Sequence, residues 1–301
     1  MIITHIVTAG EAGMTLQQLL RGPMALSGRQ TRNAKAQGAV TVNAAPFFSN
    51  QRVQEGMVVR VVLYDYAPAD KKEPPKNAPS VKVVYEDDAL LAVFKPALLQ
   101  CHPSPSAPGG SDTLESRVHA YLGTPAHPVH RLDSETTGIV LFAKLPYAQA
   151  HLQQQMQAGT FKKTYRAWVI GRPDPSAGLI DAPIDPENPD SFTRIVTPSG
   201  QRAVSRYETL KTLPLASGGC ASLLALSPVT GRTHQLRVHM AHIGCPLLGD
   251  QRYFTEASRS ATEALHLTYH QLSAVTVRFI HPSSKASICI SCDPEFSFLP
   301  E

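Results

Sequence analysis

The sequence predicts an α+β protein built on a large, mostly antiparallel sheet, preceded by a small N-terminal α/β module. Three observations support this fold class. Short apolar strand signals recur along residues 81–301, separated by Pro or Gly turns, and only two amphipathic helices interrupt them. The helices and strands do not alternate regularly, which disfavours a doubly wound parallel sheet. A proline-rich segment at residues 66–80 divides the chain into two parts.

The proline-rich segment, YAPADKKEPPKNAPS, has four prolines among charged and small residues and no apolar periodicity. We interpret it as a semi-rigid linker between a first domain, residues 1–65, and a second, residues 81–301. In the first domain TLQQLLRG and SGRQTRNAKAQG predict two short helices, and AVTVNAAPFFSNQRVQEGMVVRVVL predicts a hairpin. A domain of this size is close to the limit at which one hydrophobic core suffices for stability.

The second domain carries the larger sheet. SVKVVYEDDALLAVFKP predicts two strands joined by an acidic turn, and further strands are expected at GIVLFAK, KTYRAWVIG, RAVSRYETL, ASLLALSPV and VTVRFIHP. The first helix is PYAQAHLQQQMQAG, with Pro146 in its first turn and Gly159 at its end. The second is THQLRVHMAHIG, with Thr233 as its N-cap and Gly244 at its end.

Composition restricts the classes of protein that need to be considered. The 301 residues have a formal net charge of +4, and the excess lies in residues 1–80, with nine Lys/Arg and five Asp/Glu. The net charge of the whole chain is too small to indicate a partner. The position of the positive excess, however, makes the N-terminal quarter a candidate polyanion-binding module. Because no apolar run matches a membrane span and the N-terminus lacks a signal-peptide pattern, we expect a soluble, cytoplasmic protein without a membrane partner.

The five cysteines are odd in number and lack the spacing of a disulfide framework, so we expect reduced thiols. Cys289 and Cys292 form one CxxC pair within SICISC. No second pair follows and the segment alternates as a strand does, which favours a structural role over a zinc or redox role. The sequence contains no Walker loop, Rossmann fingerprint or HExxH motif.

Three polar clusters could carry chemistry. The densest is HRLDSETTG, which contains His130, Arg131, Asp133 and Thr137 and leads directly into the apolar strand IVLFA. A polar loop that precedes a buried strand lies at a sheet edge, where clefts form. The alternative is an ordinary turn in which Asp133 caps the backbone and Arg131 pairs with an acidic residue.

The second cluster is the helix GRTHQLRVHMAH, where Arg232 precedes the helix and Arg237 lies beside its apolar face. An arginine buried there would need a carboxylate partner, and the alternative is an arginine whose head reaches water. Three histidines, His234, His239 and His242, invite comparison with a metal site. Their spacing does not bring three rings to one helical face, which disfavours that interpretation.

The third cluster is KKTYR at residues 162–166, at the start of a strand. Tyr165 shares a strand face with Ala167 and Val169, so its hydroxyl would need a polar partner on an apolar surface. The alternative is an ordinary core tyrosine.

Together and in this order, these segments resemble the motifs of the RluA-type pseudouridine synthases. HRLDSETTGIVLFAK is similar to the family signature HRLDxxTSG, with Thr137 keeping the hydroxyl of the usual serine. VFKP, which contains Lys95, is similar to the Lys-Pro motif, KKTYRAWV to the tyrosine motif, GRTHQLRVHMAHIGCPLLGDQRY to the arginine motif, and FIHP to the C-terminal end. The resemblance covers roughly residues 80–285. SGRQTRNAKAQGAVTVN is similar to an S4-type RNA-binding module.

The resemblance implies a bent antiparallel sheet and a monomeric isomerase that converts uridine to pseudouridine in ribosomal or transfer RNA. The reaction breaks and re-forms a glycosidic bond without net redox change, so no cofactor is expected. Asp133 is implied as the catalytic carboxylate, acting as a nucleophile or through a glycal-like intermediate. Arg237 is implied as its cationic partner, and Tyr165 as the residue that stacks on the uracil and takes a proton.

A stacked uridine must be flipped out of its RNA to reach Asp133. Arg131 is expected to fill the gap and contact phosphate. The other substrate-binding residues implied by the motifs are His130, Lys95, Thr137, Arg232 and His234. Further contacts to the RNA backbone are expected from Lys162, Lys163, Arg166, Arg202 and Arg206. Two alternative functions are a non-catalytic RNA-binding or chaperone-like protein on the same scaffold and a metal hydrolase built on the histidines.

Overall fold

The computed structural model describes residues 2–26, 28–36, 38–62, 80–102, 112–216 and 218–297. The helices in these ranges are α1 (Leu16–Arg21), α2 (Gly28–Ala36), α3 (Leu114–Leu122), α4 (Pro146–Gln157), α5 (Gln235–His242) and α6 (Glu256–Ala264). The first eight strands are β1 (Ile2–Ile6), β2 (Val40–Val42), β3 (Ala45–Pro46), β4 (Val58–Val62), β5 (Lys82–Glu86), β6 (Leu90–Lys95), β7 (His127–Pro128) and β8 (Thr137–Ala143). The remaining strands are β9 (Lys162–Ile170), β10 (Ala177–Asp181), β11 (Ile184–Pro186), β12 (Arg194–Val196), β13 (Val204–Pro214), β14 (Cys220–Pro228), β15 (Leu272–Ile280) and β16 (Ser287–Ser291).

The N-terminal part is a four-stranded antiparallel sheet in the order β1-β4-β2-β3, accompanied by α1 and α2. Thr15 begins α1 with a capping box, because its hydroxyl accepts the Gln18 N–H and the Gln18 side chain accepts the Thr15 N–H. The buried leucines of α1 share one core with Val59 and Val61 of β4. The two predicted helices and the predicted hairpin strands are confirmed, whereas β1 was not predicted.

The predicted linker at residues 66–80 lies outside the described residues except for Ser80. The domain boundaries of 1–65 and 81–301 therefore stay predictions.

The large sheet has the order β10-β13-β14-β9-β15-β8-β6-β5, with β16 beside β15 and β7 beside β8. Its described pairs are antiparallel except that of β8 with β15. The predicted α+β class with a mostly antiparallel sheet is confirmed. The polar segment HRLDSETTG ends where β8 enters the centre of this sheet, so the sheet holds that segment at a strand end.

The parallel pair requires glycine at the start of β8. Gly138 pairs with Ala274 of β15 and has a φ of +109°. A Cβ atom at position 138 would lie 2.2 Å from the Ala274 carbonyl oxygen, which no side chain can tolerate. The close approach fixes the end of the polar loop against β15.

Two helices in the larger part were not predicted. The sequence analysis expected only α4 and α5 there, but α3 and α6 each add nine residues. Both begin at a threonine whose hydroxyl accepts a backbone N–H in the first turn, Thr113 for α3 and Thr255 for α6. In α6 the buried side chains are small, Ser258, Ala261 and Thr262, so the sequence shows no apolar stripe.

The beginning of α5 also differs from expectation. His234, with a φ of +57°, occupies the N-cap position that was predicted for Thr233, and its side chain makes no cap hydrogen bond. The left-handed backbone turns the chain sharply just before the helix, so that the His234 ring lies in the cleft described below.

The C-terminal CxxC pair lies at the end of a strand, as its alternation predicted, because Cys289 belongs to β16 and Cys292 follows it. The five cysteines, all of them within the described ranges, are free thiols. Among the helices that the structure describes, none combines the length and the apolar character that crossing a membrane requires.

Candidate active site

A cavity of about 170 Å³ lies where the polar loop before β8, the strand β9 and the N-terminal end of α5 meet. Seven of the residues expected to act in catalysis or to contact RNA line it: Arg131, Asp133, Lys163, Tyr165, Arg232, His234 and Arg237. They come from three distant parts of the chain. The cavity continues into an open cleft of about 620 Å³ that shares Arg131, Asp133, His234 and Arg237 with it.

The last residue of β6 and a residue of the segment that follows it anchor the backbone on both sides of Asp133. The Cys101 thiol contacts the backbone N–H and the carbonyl oxygen of Leu132, each at 3.3 Å. The Lys95 ammonium donates to the carbonyl oxygen of Ser134 at 2.6 Å and to those of Pro96 and Leu99. Asp133 therefore projects from a loop whose neighbouring residues are anchored, which is the preorganisation that a catalytic group needs.

The Asp133 carboxylate, 30% exposed, borders the cavity beside two nitrogenous side chains. Its Oδ2 atom lies 3.6 Å from Nη1 of Arg237 and 3.9 Å from Nε2 of His234. These separations are within ion-pair range but longer than a good hydrogen bond. The expected proximity of Asp133 and Arg237 is present, and the carboxylate keeps lone pairs for a ligand.

The strongest interactions of Arg237 are with Asp250, a residue that the sequence analysis did not single out. Nε and Nη2 of Arg237 donate to the two carboxylate oxygens of Asp250 at 2.7 and 2.8 Å, and the Asp250 side chain is fully buried. Burial opposes ionisation of Asp250, but the hydrogen bond and charge of Arg237 outweigh it and lower the pKa of Asp250. The pair fixes the guanidinium plane and leaves Nη1 directed towards Asp133.

His234 belongs to a chain of contacts that connects the cavity with a hairpin. Its Nδ1 atom lies 2.8 Å from the Tyr253 hydroxyl, and that hydroxyl accepts the N–H of Arg194 at 2.9 Å. Burial lowers the pKa of His234 to about 4, so the ring is neutral at neutral pH. In this form His234 offers Asp133 a polar neighbour and no full charge.

Tyr165 and Lys163 enter the cavity from one face of β9. Within the part of the chain that the structure describes, neither the Tyr165 hydroxyl nor the Lys163 ammonium has a hydrogen-bond partner. Burial, reinforced by the charge of Asp133, raises the pKa of Tyr165, so its hydroxyl carries its proton at neutral pH. Burial lowers the pKa of Lys163. Both groups are available to a ligand.

Three of the residues expected to bind substrate, Lys95, His130 and Thr137, do not line the cavity that the described residues form. Lys95 is completely buried and all of its donors are directed to carbonyl oxygens. Nε2 of His130 accepts the N–H of Leu141 at 3.3 Å inside the protein. The Thr137 hydroxyl makes long contacts with backbone carbonyl oxygens at 3.3 and 3.4 Å.

The histidines of α5 do not converge on a metal site. Both ring nitrogens of His239 have partners, because Nδ1 lies 2.9 Å from the Ser205 hydroxyl and Nε2 lies 2.9 Å from the Ala182 carbonyl oxygen. Among the described residues, no group of three or more His, Cys, Asp and Glu side chains is placed to hold a metal ion.

Two further residues that support the site were missed from the sequence. Gln235 is buried, accepts from the Thr230 hydroxyl and the Arg232 N–H, and donates to Val204 and Ser205, which holds the segment before α5 in place. Tyr253 lies under His234 and 5.0 Å from the Arg237 guanidinium. A buried arginine needs a carboxylate partner, and this requirement could have pointed to Asp250. The sequence analysis assigned Asp133 to that role instead.

Comparison with known proteins identifies the family of the chain. Residues 89–242 match the family model described as RNA pseudouridylate synthase. The chain is 32% identical to a ribosomal large subunit pseudouridine synthase C of Vibrio vulnificus, covering 82% of this chain and 78% of that protein. It is 34% identical to the dual-specificity RNA pseudouridine synthase RluA of the same species, covering 73% of this chain and 86% of that one.

The fold agrees as well. The structure of human RNA pseudouridylate synthase domain containing 1 superposes with a TM-score of 0.60 at 22% identity, covering 73% of this chain and 85% of that one. The family model and the curated relatives, together with the fold, show an RNA-modifying isomerase of the pseudouridine synthase class. This chain belongs to the RluA-type family of RNA pseudouridine synthases.

Proposed function

We propose that the chain converts specific uridines of ribosomal or transfer RNA to pseudouridine, with Asp133, Tyr165 and Arg237 as the catalytic residues. The observation that carries this proposal is the convergence of the three side chains on one cavity from separate segments. One relative is named for the large ribosomal subunit, which supports ribosomal RNA as a substrate, and another is named for dual specificity towards RNA, which agrees with more than one RNA class.

The reaction breaks the C1′–N1 bond of uridine and forms a C1′–C5 bond, while the proton on C5 is lost and N1 gains one. Asp133 acts at the sugar, as a nucleophile at C1′ or through a glycal-like intermediate. Its carboxylate is positioned by the anchored loop and lies 3.6 Å from Nη1 of Arg237, within ion-pair range. The detached uracil has to stay in the cavity until C5 faces C1′.

Tyr165 packs against the target uracil and exchanges protons through its hydroxyl. Because the pKa of Tyr165 is raised, the group serves as a relay that accepts one proton while passing on its own. Lys163 supplies a desolvated cation for an oxygen of the flipped nucleotide. Arg131 is exposed at the cleft and free of ion pairs among the described residues, which suits its role as the group that fills the gap left by the flipped base.

The N-terminal module contributes RNA affinity in this proposal. The formal positive charge of the chain is concentrated there, and Arg32 is an exposed cation on α2. Lys95, His130 and Thr137 act on the substrate indirectly, by positioning the loop of Asp133. We propose a monomeric, cytoplasmic enzyme that acts on RNA without a cofactor and without a membrane partner.

The experiment that tests the function maps pseudouridine in total RNA from cells with and without the gene. A site that disappears with the gene and returns with the wild-type chain identifies the substrate. Asp133→Asn should fail to restore that site while keeping the fold, and Asp112→Asn, a change at an exposed carboxylate away from the cavity, should restore it. Restoration by Asp133→Asn would exclude Asp133 as the catalytic group and favour an RNA-binding role for the chain.

A further inference from the structure

An aromatic side chain borders the open cleft beside the cavity, in a position that the proposed chemistry does not use. Phe192 is 62% exposed and lines the cleft together with Asp133, Arg131 and Arg252. A phenyl ring of this exposure is disfavoured in water, and here it lines a cleft that holds three arginines, Arg131, Arg237 and Arg252, as well as the carboxylates of Asp133 and Glu135. Aromatic rings interleaved with arginines are typical of surfaces that bind single-stranded nucleic acid, because the rings stack on bases while the cations meet phosphates.

The loop that carries Phe192 is held in shape by its own hydrogen bonds. Phe192 lies between β11 and β12, which form a separate two-stranded ribbon. The Glu187 N–H donates to the Thr193 carbonyl oxygen at 3.0 Å, and the Arg194 guanidinium donates to the Ser191 carbonyl oxygen at 2.8 Å. A ring on an ordered loop loses less conformational entropy on binding than a ring on a loose one.

The same loop is tied to the catalytic cavity. The Arg252 guanidinium donates to the Thr193 hydroxyl at 3.0 Å, directly beside Phe192. The backbone N–H of Arg252 in turn donates to Asp250, the partner of Arg237. At the first residue of β12, the Arg194 N–H donates to the Tyr253 hydroxyl, which contacts His234. The ring therefore has a defined place relative to Asp133.

We propose that Phe192 is a stacking platform for the base of an unpaired nucleotide next to the target uridine. This inference rests on the proposed function and adds a substrate requirement to it: the uridine lies in a loop or single strand whose neighbouring base is free to leave the helix. A base paired within a duplex cannot offer its face to Phe192 without unstacking.

The test measures binding of the full chain to the RNA nonamer 5′-AAAAUAAAA and to the same nonamer with abasic residues on both sides of the uridine, by fluorescence anisotropy. Phe192→Ala should weaken binding to the first nonamer about tenfold, as expected for the loss of one base–aromatic stack. Phe192→Trp should retain the affinity. The abasic nonamer should bind the wild type and Phe192→Ala equally well.

Leu179→Ala serves as the matched control, because Leu179 is a similarly exposed apolar residue on β10 and does not line the cleft. It should bind both nonamers as the wild type does. Equal binding of the intact nonamer by the wild type and Phe192→Ala would overturn the inference, as would equal weakening on both nonamers. So would a wild type that binds neither nonamer.

A second measurement separates this inference from the proposed function. Initial rates of pseudouridine formation are measured on total RNA from cells that lack the gene. If the wild type forms no pseudouridine, the proposed function fails. If the wild type is active and Phe192→Ala is equally fast at limiting RNA, the function stands and the stacking role is wrong. We expect the rate at limiting RNA to fall about tenfold in Phe192→Ala and to stay unchanged in Leu179→Ala.

Discussion

Arg237 and Asp250 are joined by two short hydrogen bonds in the interior, while the nearest nitrogen of Arg237 lies 3.6 Å from the carboxylate that is proposed to react. The arginine is thus oriented by one carboxylate and directed at another. A guanidinium held by a fixed partner needs no rearrangement when a substrate arrives, which is the property expected of a group that stabilises charge during catalysis.

Replacing Asp250 should damage both stability and activity. Asp250→Asn removes the carboxylate that is hydrogen-bonded twice to the buried guanidinium and should lower the free energy of unfolding by about 3 kcal/mol. Because Arg237 loses its orientation, pseudouridine formation should slow at least about tenfold. The control is Asp112→Asn, which breaks an equally short but exposed Asp–Arg pair and should change stability by less than about 1 kcal/mol. Urea unfolding compares the two, and similar losses would contradict the expectation.

Removing the Tyr165 hydroxyl should separate activity from stability. The hydroxyl has no hydrogen-bond partner among the described residues, so Tyr165→Phe should leave urea unfolding unchanged within about 0.5 kcal/mol. Loss of a proton relay should slow turnover about a hundredfold. Tyr207→Phe provides the reverse case, because the Tyr207 hydroxyl donates to the Pro175 carbonyl oxygen at 3.2 Å. That variant should lose about 1 kcal/mol of stability and keep its turnover. An active Tyr165→Phe enzyme would remove the hydroxyl from the mechanism.

Replacing Lys163 should lower activity without lowering stability, as is typical of a residue kept for function. Burial lowers the pKa of Lys163, which means that the folded state disfavours its charge. Lys163→Met should therefore unfold at an equal or higher urea concentration. Its RNA turnover at limiting substrate should fall about tenfold. The slope of log affinity against log salt concentration should decrease by about the amount expected for one lost phosphate contact. Lys211→Met, at an exposed position of β13 that does not line the cavity or the cleft, should leave turnover unchanged. A slower and less stable Lys163→Met would indicate a structural role.

Lys95 should act through the loop of Asp133. Lys95→Met removes the donor for three carbonyl oxygens and should lower the free energy of unfolding by about 3 kcal/mol. In the fraction that remains folded, turnover should fall much more than RNA affinity, because Asp133, the proposed catalytic carboxylate, is displaced while the cleft is kept. Lys144→Met, which breaks only an exposed pair with Glu86, should change stability by less than about 1 kcal/mol. A Lys95→Met enzyme with weakened binding and normal turnover would show direct contact with RNA instead.

His130 should make the fold sensitive to mild acid. Burial lowers the pKa of His130 to about 3, against 6.5 for the unperturbed ring. As the pH falls below about 6.5, the unfolded chain takes up a proton that the folded chain refuses, so stability is lost between about pH 6.5 and pH 3. His130→Gln keeps an acceptor for the Leu141 N–H and does not titrate. Between pH 7 and pH 5 it should lose about 2 kcal/mol less than the wild type in urea unfolding. An equal loss of stability by the wild type and His130→Gln over this pH range would contradict the prediction.

Much of the fold was accessible from the sequence because its strands are short apolar runs between turns. The pairs β5 with β6 and β13 with β14 follow directly from such runs. The helices α3 and α6 were missed because α3 buries only two side chains and those that α6 buries are small. Neither sequence therefore shows a clear helical period of apolar residues. The N-cap of α5 was misplaced because a left-handed histidine is rarer than a capping threonine.

The site was predictable where a motif names a residue and unpredictable where only folding creates the contact. Asp133, Tyr165 and Arg237 were chosen from the motifs, and the structure brings them together. Asp250 lies in a turn after α5, and nothing in its local sequence shows that it meets Arg237. Lys95 contradicts the rule that lysines stay in water, since only the three-dimensional arrangement of carbonyl oxygens makes its burial favourable.

The ribbon of β11 and β12 stands apart from the ten-stranded sheet, and its pairing does not contribute to that sheet. Its tip could therefore be exchanged for loops of other lengths and compositions while the anchoring bonds at Arg194 and Tyr253 are kept. Grafts that keep Thr193 and Arg194 preserve the hydrogen bonds with Arg252 and Tyr253 while they change the residues that face the cleft. The ribbon is therefore the part of the molecule where the preference for RNA could be altered with the least change to the ten-stranded sheet.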